Sequence, residues 1–190
     1  MALYALRHGA TPTQGFRGRL DDELTPEGWT QMHAGFQQGP RWQQIVSSPL
    51  KRCRQFAEQM ARELNLPLAI DPDWRELDFG HWEGRTASEL LADPLEADAL
   101  SRFWQDPYQH PPRGGEALLH FEQRIVRAWQ PLAVSSANQD TLLISHGGVI
   151  RQLLRLGQNR PRSELMNGDV GHGSLHLIAP FPGDHPCAKP

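Results

Sequence analysis

Cysteine is nearly missing from this chain: Cys53 and Cys187 are the only two in 190 residues. They carry no metal-ligand spacing, so a disulfide framework is unnecessary and a reducing, cytoplasmic setting fits. No apolar run approaches the roughly 18 residues of a membrane span, and the start lacks a basic segment followed by a long apolar stretch. The expectation is a soluble protein with no membrane partner. Positive charge is not in excess either: a formal net charge of -3 argues against a nucleic-acid partner held on a broad basic face. Any phosphate recognition must then be local. Internal repeats and low-complexity tracts are absent, and the length suits one domain with a sizeable core.

What is present alternates between strand and helix patterns. Leu3-Tyr4-Ala5-Leu6 reads as a buried strand that runs into Arg7-His8-Gly9, where Gly9 lets the backbone turn. Residues 10–23 have no apolar period and form a loop over the strand end. Thr25-Pro26-Glu27 supplies an N-cap, a proline at the first helical position and an early acid, predicting a helix over 26–38 that Gly39-Pro40 stops. Ile45-Val46-Ser47 is a second strand, and after Ser48-Pro49 the residues Phe56, Ala57, Met60, Ala61 and Leu64 share one helix face. Leu68-Ala69-Ile70 is a third strand, leading into the loop 74–80.

The second half continues the pattern. Thr86 and Glu89 match a capping box and open a short helix; an irregular, proline-containing stretch follows, and residues 86–113 read as a small lid insertion. Leu118, Phe121, Ile125, Trp129 and Leu132 recur at helical spacing. Thr141-Leu142-Leu143-Ile144 is the clearest buried strand; it ends at Ser145-His146-Gly147-Gly148, before a helix carrying Ile150, Leu153 and Leu154. Residues 174–178 make a last strand. Residues 1–179 form one domain on this reading, and 180–190 a poorly ordered tail. The fold class is α/β: a three-layer sandwich with a mostly parallel central sheet between helices.

In such a sheet the strand carboxyl ends lie along one edge, where ligands bind. His8, the 47–52 turn, Glu76 and His146 all follow strands and can meet there. They supply guanidinium groups, imidazoles and one carboxyl, without the carboxylate cluster that holds Mg²⁺ and without a Walker loop. The economical reading is phosphoryl transfer with no metal or other cofactor. Fixed guanidiniums on Arg7 and Arg52 would face the equatorial oxygens, neutral His8 would attack through a ring nitrogen, and Glu76 would protonate the leaving alkoxide.

Four blocks in order, Leu6-Arg7-His8-Gly9 with Thr11, Ser47-Ser48-Pro49-Leu50-Lys51-Arg52, the run from Arg75 to Gly84, and Ser145-His146-Gly147-Gly148, resemble the histidine phosphatase superfamily. The resemblance implies His8 as the phosphorylated nucleophile, Arg7 and Arg52 as phosphate clamps, His146 as a further phosphate ligand and Glu76 as the proton donor. Thr11, Gln14 and Gly147 complete the expected substrate contacts. The compact length and the block from Glu76 to Gly84 are most similar to the α-ribazole phosphatase branch of the phosphoglycerate-mutase-like group. Residues 112–116 are similar to a second block of that group. The implied substrate is α-ribazole 5′-phosphate, used in assembling the cobalamin nucleotide loop. The alternatives are a broad-specificity phosphatase of sugar phosphates or nucleotides, a phosphoglycerate mutase, and a phosphate-binding module without turnover.

Three positions depart from the pattern: Ala10 stands where relatives often carry Glu, Gln14 where an Asn often contacts phosphate, and Ala117 where Ser or Thr follows the glutamate. They bear on substrate more than on reaction. His172 and His176 lie four apart, but on a strand they would not converge on a metal. Arg17, Arg19 and Arg113 are open between solvated charge and substrate contact. The partner is a small phosphorylated molecule, and the protein a monomer or homodimer.

Overall fold

The computed structural model describes residues 2–181. The first strand, β1 (Leu3–Arg7), leads through a long loop to α1 (Pro26–Gln37), and Thr25 caps that helix by accepting from the Gly28 N–H. β2 (Gln44–Ser47), α2 (Lys51–Leu64) and β3 (Leu68–Ile70) follow. The insertion carries α3 (Ala87–Ala92) and α4 (Pro94–Gln105). The chain closes with α5 (Leu118–Ser135), β4 (Thr141–Ser145), α6 (Gly147–Gly157) and β5 (Leu175–Ile178).

The five strands lie in the order β3-β2-β4-β1-β5. β1 pairs in parallel with β4, and β2 with both β4 and β3, while β5 runs antiparallel along β1. Alternation along the strands makes three layers. Leu3, Ala5 and Leu143 point into the core shared with Ile125, Trp129 and Ile150 of α5 and α6. Leu6, Leu142 and Ile144 point the other way, onto Met32, Phe56 and Met60 of α1 and α2. Among the described residues no helix is long and apolar enough to cross a membrane.

Two expectations change. The capping box forms as read, with Thr86 and Glu89 each bonding the other's backbone. The stretch after it, however, is not irregular, because Pro94–Gln105 is a helix. Asp93 ends α3 and caps α4, accepting from the Leu95 N–H at 3.0 Å, with proline at the first helical position. This is the start signal seen at Thr25-Pro26, obscured here by the capping box just ahead of it. Leu90, Leu100 and Phe103 are buried in the same core as Phe121, and the Trp82 indole N–H donates to Glu96 Oε2 at 2.8 Å. The insertion is thus docked on the domain.

The second change concerns the end of the chain. The expected tail lies mostly outside the described residues, but Phe181, which falls within it, is 6% exposed and stacks on Trp129 with ring centroids 4.3 Å apart. Phe181→Ala should lower the unfolding free energy by about 3 kcal/mol in a urea melt. A loss below about 0.5 kcal/mol would mean that the ring packs no better than a surface side chain.

Candidate active site

Three neighbouring strands deliver chemistry to one edge. β1, β4 and β2 are adjacent and parallel, with Arg7 opposite Ser145 and Ser47 opposite Ile144, so His8, Ser48 and His146 emerge side by side. The His8 and His146 ring centroids are 5.3 Å apart. His8 is only 5% exposed, and its Nδ1 lies 2.8 Å from the Gly9 carbonyl oxygen. A carbonyl can only accept, so Nδ1 carries the proton and Nε2 keeps a lone pair. Burial, helped by the nearby Arg52 and Arg7 guanidiniums, pushes the His8 pKa well below 6.5 and holds the ring neutral.

Gly9 serves this arrangement differently from the turn expected of it. Its φ is not in the left-handed region. Instead, a Cβ there would lie 2.1 Å from the Gly28 carbonyl oxygen of α1. The glycine lets helix and strand end touch.

His146 caps the start of α6 without exposure to solvent. Its Nδ1 accepts from Arg52 Nε at 3.2 Å, so the Nε2–H donates to Ser48 Oγ at 2.7 Å. Burial, with Arg52 beside it, lowers the His146 pKa well below its ordinary value. Arg52 is fully buried too. Its Nη1 donates to the Leu20 carbonyl, and its Nη2 to the carbonyls of Arg17 and Gly18 at 3.0 and 3.1 Å. The amide groups of Gly18, Arg19 and Leu20 in the same loop converge on Glu83, which also accepts from the Phe79 N–H. A buried cation and a carboxylate grip one loop from two sides.

Glu76 reaches the edge from the loop after β3. It is 7% exposed; Oε1 accepts from the Leu77 N–H at 2.9 Å and Oε2 from the Gly148 N–H at 2.8 Å. A Cβ at residue 148 would stand 2.4 Å from Oε1, so a side chain there would push the Glu76 carboxyl aside. Arg7 is fastened by its Nη1 to the Val170 carbonyl at 2.5 Å and by its Nη2 to His172 Nε2 at 3.1 Å. Burial and the Arg7 charge push the His172 pKa down to about 4.

A cavity of about 680 Å³ opens over these groups. Of the residues expected in the site, Arg7, His8, Thr11, Gln14, Glu76 and Gly147 line it, whereas Arg52 and His146 stand behind the wall. Part of the wall is apolar, with Phe16 and Phe79 and the buried core rings of Phe103 and Phe121. Arg17, open on the sequence, is on the wall; its side chain is 8% exposed and paired with Asp22. His172 also lines the cavity, its ring 5.4 Å from that of His8. The spacing of His172 from His176 suggested only a rejected metal pair, and nothing local to residue 172 indicates that β5 returns beside β1.

The sheet and this edge make the chain an α/β protein of the phosphoglycerate mutase-like class. It matches the histidine phosphatase superfamily (branch 1) over residues 3–187 and belongs to that family. A bifunctional protein of Mycobacterium tuberculosis is 34% identical over 93% of this chain and 46% of its own length, so the chain spans about half of that relative. The adenosylcobalamin/alpha-ribazole phosphatase of Escherichia coli is 29% identical, over 94% of this chain and 89% of that protein. Among solved structures, the mycobacterial glucosyl-3-phosphoglycerate phosphatase superposes with a TM-score of 0.77 at 28% identity, covering 91% of this chain and 87% of that one.

The depressed imidazoles have a consequence for stability. As pH falls through 6.5 the unfolded chain takes up protons that folded His8 and His146 refuse, so stability falls as pH drops and is complete only well above that value. The urea midpoint should climb from about pH 5, above most carboxylate titration, and level off by about pH 7.5, roughly one unit above the ordinary histidine value. His8→Ala should make the climb shallower; a flat wild-type profile would contradict neutral, buried rings.

Proposed function

We propose that this chain is a metal-independent phosphomonoesterase that works through a phosphohistidine on His8. The observation that carries the reading is the Nδ1–H bond to the Gly9 carbonyl, which leaves Nε2 as a neutral nucleophile beside the cavity. His8 Nε2 bonds to phosphorus as the ester P–O bond breaks, and the Glu76 carboxyl gives its proton to the departing oxygen. Water then attacks phosphorus, its proton passes to the Glu76 carboxylate, and the P–N bond breaks to release phosphate and neutral His8. Arg7 supplies positive charge to the equatorial oxygens. Arg52 adds positive charge near His8 and holds the loop 17–20 in place, and neutral His146 fixes the Arg52 guanidinium by accepting from its Nε.

The substrate that fits best is α-ribazole 5′-phosphate. Its aromatic base matches the apolar part of the wall formed by Phe16, Phe79, Phe103 and Phe121, and the Escherichia coli relative supports the same choice. A second reading, a phosphorylated sugar acid, is favoured by the likeness to the mycobacterial phosphatase structure. A kinetic panel of α-ribazole 5′-phosphate, phosphoglycerates, sugar phosphates and nucleotides separates the two.

Turnover of p-nitrophenyl phosphate should persist in EDTA, and His8→Ala should reduce it by at least about 10³-fold. No wild-type activity, or undiminished activity in His8→Ala, would overturn the enzyme reading. For Glu76→Gln, kcat/KM should fall far more for glycerol phosphate, a poor leaving group, than for p-nitrophenyl phosphate, which needs no proton. Equal losses on both esters would remove the acid role.

A further inference from the structure

Glu76 sits on a segment with no hydrogen-bond ladder of its own. Residues 75–79, between the short turns Pro72–Trp74 and Gly80–Trp82, belong to neither helix nor strand, so their conformation must be imposed from outside. At its start the group that bonds it is Arg124, in the second turn of α5. Its Nη1 donates to the carbonyls of Asp73 and Arg75 at 2.6 and 2.7 Å, and its Nη2 to the carbonyl of Glu76 itself at 2.9 Å.

The guanidinium is in turn fixed by Glu116, which accepts from Nε at 2.8 Å and from Nη2 at 2.9 Å. The two side chains are 12% and 14% exposed, leaving water little access to compete for these bonds. Neighbouring carbonyls are held as well: Ser145 Oγ donates to Trp74 at 2.9 Å, and the Glu116 N–H to Asp78 at 2.9 Å. Only a planar fork spans three carbonyls and a carboxylate at once; a lysine ammonium offers three donors from one point. Arg124 does not line the cavity.

We propose that Arg124, oriented by Glu116, is the positioning residue for the proton donor. It holds the backbone of residues 73–76 so that the Glu76 carboxyl lies against Gly148 on the cavity wall. The proposal rests on Glu76 being the general acid. α5 is an 18-residue helix packed on the sheet, so the acid is referenced to the rigid body of the domain rather than to its own loop. A donor misplaced by about 1 Å can cost about 10²-fold in rate.

The test compares kcat/KM for glycerol phosphate and p-nitrophenyl phosphate in wild type, Arg124→Lys, Glu116→Gln and Glu76→Gln, with vanadate inhibition as a probe of the phosphate pocket. Arg124→Lys should lose about 10²-fold on glycerol phosphate and less than about 3-fold on p-nitrophenyl phosphate, with vanadate Ki unchanged within about 2-fold. Glu116→Gln should show the same pattern more weakly, and carries the test if Arg124→Lys does not fold. If Glu76→Gln discriminates between the esters but the Arg124 and Glu116 variants lose equally on both, or lose nothing, the positioning role is overturned and the acid stands. Failure of Glu76→Gln to discriminate removes both.

Discussion

The hydrogen bond from His8 Nδ1 to the carbonyl of Gly9 is the constraint on which the site depends. An imidazole has two nitrogens, and the proposed nucleophilic role needs one of them unprotonated and facing the cavity. The bond assigns the proton to the nitrogen turned toward the backbone. Burial and two guanidiniums keep a second proton off the ring. The close approach of Gly9 to Gly28 keeps α1 against the strand end that carries this bond.

Around that imidazole the site is made of loops, and the loops are held by buried charges. Arg52 bonds three carbonyls of the segment 17–20, and Glu83 gathers amide groups of the same loop. Arg124 does for the Glu76 segment what Arg52 does for that one. Coil carbonyls and amides buried without a partner would be costly, so an ionised side chain with several donors or acceptors is an effective substitute for a helix or strand ladder. The arrangement also gathers positive charge behind the cavity floor, where the anionic end of a phosphate ester would lie. The apolar part of the wall would face the remainder of the proposed substrate.

Much of the framework was legible in local signals. Buried strands ended in Arg7-His8 and Ser145-His146, helix starts were marked at Thr25 and Thr86, and the α5 periodicity needed no tertiary information. α4 is hard to read locally because Asp93-Pro94 lies in the shadow of the capping box before it, although its start signal is the same as that of Thr25-Pro26. Phe181, a single aromatic among prolines, has no period and so reads as tail; its partner Trp129 is distant in sequence.

The sequence by itself determined the order of strands and helices, the residue types at each strand end and hence a phosphate-directed chemistry, since these follow from short-range pattern and side-chain identity. Only the tertiary structure decided which groups face the cavity. Arg52 and His146 stand behind the wall, while Arg17 and His172 stand on it. Side-chain direction depends on which distant carbonyls and amides each charged group meets. Arg52 meets the loop 17–20, and Arg7 meets Val170 and His172 across the β1–β5 pair. Such contacts span more than thirty residues of chain and leave no periodic trace within it.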